Sequence, residues 1–193
     1  MNRGRARLLP AERDQAILDA TLALLAREGI AGVTMRAVAR EADVSLGLVN
    51  YYYVDKHQLI CAALQRIEAD DVSILNPVEG LDAQEQLRSA LARVATPQIM
   101  TTEYLSLRLQ LWSLATAHQD FAEINASAHV RYRTRLAALI SNARPELSKA
   151  DCRRRANDID VVQNGVWLSS LLGVDRASLR RALKTCEDIA FGD

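Results

Sequence analysis

The apolar residues near the start of this chain recur with the spacing of a helix. Between residues 11 and 28 they fall at positions i, i+3, i+4, i+7 and i+8, which lie on one face of an α-helix. The members of this stripe are Ile17, Ala20, Thr21, Leu24 and Leu25. Gly29 follows, and glycine is favoured just after the last residue of a helix. The pattern therefore predicts a first helix with one buried face that ends at Gly29.

Eight further helices are predicted by the same spacing and by residues that favour helix starts. Their expected ranges are about 34–42, 45–51, 55–72, 82–95, 102–118, 120–143, 148–172 and 175–190. Asp, Ser and Thr just before a helix accept hydrogen bonds from its free backbone N–H groups. The expected capping residues of this kind are Asp55, Asp82, Thr102, Ser148 and Asp175. No segment alternates as a strand would, so the chain is predicted to be all-α with about nine helices.

The second and third predicted helices are short and are joined by a tight turn. Ala39 is small enough to let the two helices approach, and Val44 and Val49 supply apolar contacts between them. Asp43 falls at the turn position with a left-handed backbone, where Gly is best and Asn or Asp is tolerated. Ser45 can cap the second helix of the pair. A helix pair of this kind presents its second helix to the DNA major groove.

This segment and the aromatic group after it resemble the DNA-binding domain of the TetR family of bacterial transcriptional regulators. The pattern of that family is matched here by Thr34, Val38-Ala39, Asp43-Val44-Ser45, Tyr51-Tyr52-Tyr53, Lys56 and Leu59. The likeness covers residues 12–65, with Asp43 in place of the common Gly and Asn50 where many members carry Tyr. The resemblance implies a helix-turn-helix domain with a basic N-terminal arm over residues 1–54. It further implies a ligand-binding and dimerisation domain over residues 55–193.

Candidate DNA contacts follow from residue type and from position in this segment. Thr34 and Ser45, at helix N-termini, can offer hydroxyl and backbone N–H groups to phosphates. Tyr52 and Lys56 resemble the residues with which the family contacts the DNA backbone. The candidates to reach base edges or neighbouring phosphates are Arg36, Leu46, Gly47, Asn50 and Tyr51. Simple burial is the alternative for the tyrosines, and Tyr53 is expected in the core.

Composition changes this picture mainly through charge. The 193 residues carry 24 Lys and Arg against 24 Asp and Glu, and this net charge of zero argues against indiscriminate binding to nucleic acid. Only the first ten residues are distinctly basic, through Arg3, Arg5 and Arg7. This arm either reaches a minor groove or flanking phosphate, or is a solvated tail. DNA affinity is then expected to depend on a local cluster of contacts and on the pairing of two copies.

The C-terminal half combines aromatic and apolar bulk with a few polar groups, as suits a pocket inside a helical bundle. The candidate pocket residues are Leu105, Arg108, Trp112, Thr116, Phe121, Gln163, Asn164 and Trp167. Segments 111–120 and 164–168 are also similar to the choline-responsive, BetI-type branch of the TetR family. Trp112 and Trp167 could form an aromatic cage for a quaternary ammonium group. Ordinary packing is the alternative, and the sequence does not identify the inducer.

The last two helices carry apolar stripes wider than one chain's core requires. The stripe residues are Ile159, Val162, Val166, Leu168, Leu172, Leu179, Leu183, Cys186, Ile189 and Ala190. Two copies could pair these helices into a four-helix bundle. Homodimerisation is also implied by the TetR resemblance, and internal core is the alternative.

The sequence shows no arrangement typical of an enzyme or of a metal site. It contains no Gly-x-Ser-x-Gly, Walker or His-Glu-x-x-His motif. His57, His118 and His129 have no metal-ligand spacing. We therefore expect no catalytic residue, cofactor or metal. Three well-separated cysteines and the lack of an apolar run of about 20 residues favour a cytoplasmic protein that does not span a membrane.

The principal hypothesis is a homodimeric transcriptional repressor. Two copies would present the helix at 45–51 to successive major grooves about 34 Å apart on a palindromic double-stranded DNA operator. A small-molecule inducer would release the repressor by favouring another conformation. Two alternatives stay open: a helical sensor or partner-binding protein that does not bind DNA, and a small helical enzyme.

Overall fold

The computed structural model of the chain describes residues 9–192. Within this range every regular element is an α-helix, and there are nine. They are α1 (Pro10–Gly32), α2 (Met35–Glu41), α3 (Leu46–Tyr52), α4 (Lys56–Ser73), α5 (Ala83–Arg93), α6 (Thr102–Ala117), α7 (Gln119–Ala143), α8 (Lys149–Leu171) and α9 (Arg176–Phe191). The predicted all-α fold and the number of helices are confirmed.

Most of the predicted capping residues begin their helices. Asp82, Ser148 and Asp175 accept hydrogen bonds from backbone N–H groups in the first turns of α5, α8 and α9. The Asp55 carboxylate accepts from the N–H of Gln58 at the start of α4. The prediction for α6 was wrong by one residue. The cap is Thr101, whose hydroxyl accepts from the Tyr104 N–H at 3.1 Å, because Thr102 already has helical geometry.

Gly29 interrupts α1, although helical geometry resumes after it as far as Gly32. Its φ of 68° and ψ of −173° lie outside the helical region. A residue with a Cβ is strained at these angles, whereas glycine adopts them readily. The predicted break in the first helix is therefore confirmed, but the helix itself extends three residues further.

The chain forms two compact units, and the boundary between them falls inside α4. The first unit ends at Arg66 and the second begins at Ile67. The first turns of α4 belong to the first unit because they bury Leu59, Ile60 and Leu64. The compact units therefore divide later than the functional boundary that we predict after residue 54, which stays a prediction.

The second unit is built around two apolar clusters. The larger cluster joins α5, α7, α8 and α9 through Leu87, Leu136, Ile140, Ile159 and Cys186. The smaller one brings Val94 and Leu105 against Trp167, whose indole N–H donates to the Val94 carbonyl at 2.9 Å. These clusters hold α6, α7 and α8 in the positions that enclose the cavity described below. In the described part of the chain, no helix is long and apolar enough to cross a bilayer.

Candidate functional site

The turn between α2 and α3 has the geometry that the sequence predicts. Asp43 adopts a left-handed backbone with φ of 54°. The N–H of Val44 donates to the Ala39 carbonyl at 2.9 Å, which closes the turn. Ala39 and Val49 are both buried where the two helices meet. This local geometry fixes the direction of α3 relative to α2.

The two hydroxyl residues at the starts of these helices act as caps and are exposed. Thr34 accepts from the Ala37 N–H at 3.0 Å, and Ser45 accepts from the Leu48 N–H at 3.1 Å. A hydroxyl that accepts a hydrogen bond can still donate its own hydrogen. Both positions thus combine a helix N-terminus with a donor suited to a phosphate oxygen.

The outer face of α3 is open to solvent. Gly47 and Asn50 are exposed, and 82% of the Tyr51 surface is accessible. Leu46 is half-buried, and Arg36 is exposed on α2. The predicted base-contacting residues are therefore accessible, and burial is not the explanation for Tyr51.

Tyr52 and Lys56 have partners within the first unit. The Tyr52 hydroxyl donates to the Pro10 carbonyl at 2.9 Å, and the Lys56 ammonium donates to the Ile30 carbonyl at 2.5 Å. An ammonium group has three N–H donors, so this bond still leaves donors for a phosphate. Tyr53 is buried as predicted, and its hydroxyl donates to Asp14 at 2.5 Å. Burial raises the pKa of Tyr53. The basic arm with Arg3, Arg5 and Arg7 lies outside the described residues.

The second unit contains a small cavity between α4, α6, α7 and α8. About 20 Å³ of it is open to the centre of a water molecule, which is room for about one water. The lining residues are Glu68, Asp71, Val72, Arg108, Ala128, His129, Tyr132, Asp160, Gln163, Asn164 and Trp167. Three of these are carboxylic acids, so the cavity wall is rich in groups that attract cations.

Arg108 is the central charge of this cavity and is only 2% exposed. Its Nη1 lies 2.7 Å from Glu68 Oε1 and 3.0 Å from Asp71 Oδ2, and both acids are buried. The guanidinium carbon is also 5.4 Å from the ring centre of Trp112 and 5.8 Å from that of Trp167. These distances are those of cation–π contacts. The arginine is thereby held by two carboxylates and two indole rings.

Asp71 receives opposing influences from its surroundings. Burial disfavours its charged form, and the nearby acids Glu68 and Asp70 act in the same direction. Arg108 and His129 favour the charged form. Burial is the largest effect, so the pKa of Asp71 is raised to about 7. The Tyr104 hydroxyl is hydrogen-bonded to the other oxygen of this carboxyl group.

The remaining polar groups of the cavity are tied to one another. The Tyr132 hydroxyl donates to Gln163 Oε1 at 2.6 Å, and the Asn164 amide donates to Asp160 Oδ1 at 3.0 Å. His129 Nδ1 lies 3.1 Å from the other Asp160 oxygen. In residues 9–192 the buried Gln163 Nε2 has no acceptor within hydrogen-bonding distance. The cavity thus offers an amide donor beside its carboxylates.

The structure brings together only part of the pocket predicted from sequence. The residues that line the cavity are Arg108, Gln163, Asn164 and Trp167. Leu105 packs with Trp167, and Trp112 lies against Arg108, so these two residues support the cavity without lining it. Thr116 is exposed and donates to the Ser113 carbonyl. Phe121 is buried against the His118 ring. These last two residues do not line the cavity.

Sequence reasoning missed the acidic side of the cavity. Glu68 and Asp71 are absent from the pocket residues predicted from sequence, yet both are buried in the cavity wall, whereas Asp70 is exposed. Glu68 and Asp71 lie on the same face of α4 as the buried Leu64 and Val72. Acidic residues three apart within an apolar stripe were the available signal, because a buried charge needs a partner.

The apolar stripes of the last two helices differ in where they face. On α9, Leu179, Cys186 and Ala190 are buried within the unit, so this stripe is internal core. On α8, Val161 is 71% exposed, the C-cap Leu172 is 74% exposed, and Gly165 and Leu168 between them are exposed too. These four positions, 161, 165, 168 and 172, share one helix face. An apolar stripe on α8 is therefore left uncovered within one copy of the chain.

A helix-turn-helix with an open second helix, followed by a separate helical unit, defines a DNA-binding regulator. Residues 17–63 match the sequence profile "Bacterial regulatory proteins, tetR family", and residues 83–190 match "BetI-type transcriptional repressor, C-terminal". The second match alone covers more than half of the chain. The chain belongs to the TetR family of bacterial regulatory proteins, with a C-terminal domain of the BetI type.

Curated relatives are similar along nearly the whole chain. The transcriptional regulator BetI of Paraburkholderia xenovorans is 26% identical over 179 residues, which are 91% of this chain and 90% of that protein. BetI of Burkholderia cenocepacia is 27% identical over 178 residues, with 91% of each chain covered. The family and these relatives are transcriptional regulators and not enzymes.

Solved structures share the fold. A transcriptional regulator from Pseudomonas aeruginosa superposes with a TM-score of 0.81 at 23% identity, covering 96% of this chain and 92% of that one. A regulator from Saccharomonospora viridis, solved in complex with choline, gives a TM-score of 0.74 at 22% identity, covering 95% and 97%. The predictions of family and fold are thus confirmed.

Proposed function

We propose that this chain is a homodimeric repressor that binds a palindromic operator and is released by a small-molecule inducer. In this proposal residues 1–54 form the DNA-binding domain, and residues 55–193 bind the ligand and the second copy. The observation that carries it is the open face of α3, which is capped by Ser45 and carries Asn50 and the exposed Tyr51. We expect such a repressor to act in the cytoplasm, where bacterial DNA lies.

The proposed DNA contacts fall into two groups. Thr34, Ser45, Tyr52 and Lys56 would hold phosphates and set the register of the protein on the duplex. Arg36, Leu46, Gly47, Asn50 and Tyr51 would reach base edges or adjacent phosphates. Asn50 has the bidentate amide that suits adenine, and Leu46 suits a thymine methyl group.

Gly47 allows a direct test of this interface. Apart from its two chain neighbours and the backbone of its own helix, a methyl group added at its Cα would meet no atom of the described chain closer than the Ser45 hydroxyl, at 3.9 Å. Gly47→Ala should therefore fold as well as the wild type, so any loss of operator affinity must arise from a clash with DNA. We expect a loss of about tenfold or more, equivalent to about 1.4 kcal/mol, in fluorescence anisotropy with operator DNA.

Salt dependence provides the second measurement. Specific binding should weaken steeply with salt, and Lys56→Ala should reduce the slope of log K against log salt by about one unit. Unchanged affinity of Gly47→Ala together with an unchanged slope for Lys56→Ala would show that α3 does not meet DNA.

The cavity of the second unit is the proposed inducer site. Arg108, Gln163, Asn164 and Trp167 line it, and Leu105 and Trp112 support it. Thr116 and Phe121 lie on the neighbouring part of α6 and α7, where they would contact only a ligand larger than the present cavity. The choline in the Saccharomonospora structure makes choline the first inducer to test.

Helix α4 is the proposed link between the two activities. It carries Lys56 in its first turn and the cavity residues Glu68 and Asp71 near its end. A ligand that alters the contacts of Glu68 and Asp71 would favour a conformation of lower operator affinity, and DNA would in return weaken ligand binding. Operator affinity measured with and without saturating inducer tests this link, and equal affinities would refute it.

Dimerisation is proposed to occur through the last two helices. The uncovered stripe of α8 supports this, since Val161, Leu168 and Leu172 would be buried against the same residues of a second copy in a symmetric pair. Because the apolar stripe of α9 is buried in the internal core, α8 would supply most of the apolar contact between the two copies.

A further inference from the structure

The Arg108 guanidinium occupies a site that has the composition of a cation-binding site. Two buried carboxylates contact it within 3.0 Å, and two indole rings lie within 5.8 Å of its carbon atom. Carboxylates and indole faces are the groups that bind organic cations in apolar surroundings. Since Arg108 fills this space, only about 20 Å³ of the cavity remains open.

The fit of Arg108 to this site is incomplete. Among the described residues, none offers an acceptor within hydrogen-bonding distance of its buried Nε. A buried N–H donor without an acceptor lowers stability. The arginine is therefore a cation that another cation of suitable shape could replace.

The charges around the cavity exclude an anion as the natural occupant. Glu68, Asp71 and Asp160 line it, and Arg108 already contacts two of the three. Arg133 lies 3.7 Å from Asp160 and is partly exposed, and His129 faces the same carboxylate. An anion bound at Arg108 would lie beside two carboxylates and be repelled by them. A cation that displaced Arg108 would instead make ionic contacts with both.

We propose that Arg108 is a tethered cation in the ligand site, and that an organic cation binds by replacing its guanidinium at Glu68 and Asp71. The carboxylates and the rings of Trp112 and Trp167 stay in place and contact the incoming ligand. The displaced Arg108 side chain leaves α4 without its ion pair to α6. The expected effect on operator affinity rests on the proposed function, but the binding of the organic cation does not.

The test removes the tethered cation and supplies a free one. Arg108→Ala leaves two buried carboxylates unpaired, so its Tm should fall well below that of the wild type. Methylguanidinium or tetramethylammonium chloride, at concentrations too low to denature, should restore Tm with saturation, because a ligand that binds only the folded state stabilises it. Sodium chloride at equal ionic strength and sodium acetate should not, and the wild type should respond only at higher concentrations of the organic cation, which must first displace Arg108.

Arg155→Ala is the matched control. Its half-buried guanidinium contacts the backbone carbonyls of Ile189 and Gly192 and no cavity acid. This variant should also lose stability, but the organic cations should not restore it. Equal rescue of both variants, rescue by acetate, or no rescue of Arg108→Ala would overturn the proposal.

Two further measurements keep the outcome decisive. If Arg108→Ala does not fold alone, refolding with tetramethylammonium should recover soluble protein and refolding with sodium should not. Recovery in neither condition would also overturn the proposal. Arg108→Lys keeps a charge but shortens the side chain, so its Tm should exceed that of Arg108→Ala and its response to the cations should lie between those of Arg108→Ala and the wild type. Operator affinity of these variants is recorded separately, since intact DNA binding without cation rescue would refute only this inference.

Discussion

Asp71 is a buried acid whose pKa of about 7 connects the stability of the fold with pH. In the folded chain its proton is held until about pH 7, while the unfolded chain releases it near the ordinary value of 3.8. Between these values folding takes up a proton. Stability therefore falls as pH rises from about 4 to 7 and levels off above that range.

We predict that Asp71→Asn removes this fall in stability. The asparagine amide resembles the neutral carboxyl group in shape and cannot ionise, so it takes up no proton on folding and adds no such dependence on pH. Between pH 5 and pH 8, however, the stability of the wild type relative to the variant should decrease by about 1–3 kcal/mol. Urea unfolding at both pH values measures the difference. A constant gap between the two proteins would show that Asp71 is charged throughout.

Asp43 provides a prediction about backbone conformation. At φ of 54°, a β-branched residue is strained, and only glycine is free of this strain. Asp43→Val should lower the free energy of unfolding by about 1–2 kcal/mol or more. Asp43→Gly should stay within about 1 kcal/mol of the wild type, since it gives up the side-chain contacts of Asp43 but relieves the backbone. Urea unfolding of the three proteins distinguishes the outcomes, and equal losses would mean that contacts of the side chain dominate.

At the residue level, the sequence predicts those parts of the site that depend on near neighbours. The left-handed Asp43 and the caps at Thr34 and Ser45 involve partners within five residues. The residue types and their order along the chain are therefore enough to predict these features. The pair of Glu68 with Arg108 joins residues 40 positions apart. No local pattern specifies that pairing, and the two acids are therefore absent from the pocket predicted from sequence.

The helices themselves were predicted well because their ends carry local signals. Side chains cap seven of the nine helix starts in the described residues, and the error at α6 arose because Thr101 and Thr102 are both good caps. The direction in which a stripe faces is harder to predict. Buried Cys186 on α9 and exposed Leu168 on α8 both belong to the predicted apolar stripes, and only the packed structure shows which of them faces the core.

The interruption of α1 leads to a prediction at the level of one element. Gly29 has φ of 68° and ψ of −173°, a combination that only glycine adopts without strain. Gly29→Ala should therefore reduce the free energy of unfolding by about 1–3 kcal/mol. Gly47→Ala is the control in the same unit, because its helical backbone accepts alanine and stability should hold or rise by up to about 1 kcal/mol. Equal effects of the two substitutions would argue against a special backbone at Gly29.

At the level of the whole molecule, operator recognition and dimerisation should depend on each other. One copy of α3 spans seven residues and contacts a single half-site. Two linked copies gain from the effective concentration of the second binding event. The uncovered stripe of α8 should therefore matter for DNA binding, although its residues lie in the second unit and contact no DNA in our proposal.

The double substitution Val161→Asp with Leu172→Asp tests this dependence. Both side chains are more than 70% exposed in one copy, so the folded monomer should lose little stability. The dimer would bury four unpaired carboxylates and should dissociate, which sedimentation or size-exclusion chromatography would detect. Operator affinity should then fall by about 10²–10⁴-fold.

Val130→Asp on α7 is the matched control, since Val130 is 56% exposed in the wild type. It should leave both dimerisation and operator affinity unchanged. A dimer that survives the double substitution would exclude this face of α8 as the interface. A monomer with full operator affinity would show that DNA binding does not depend on dimerisation.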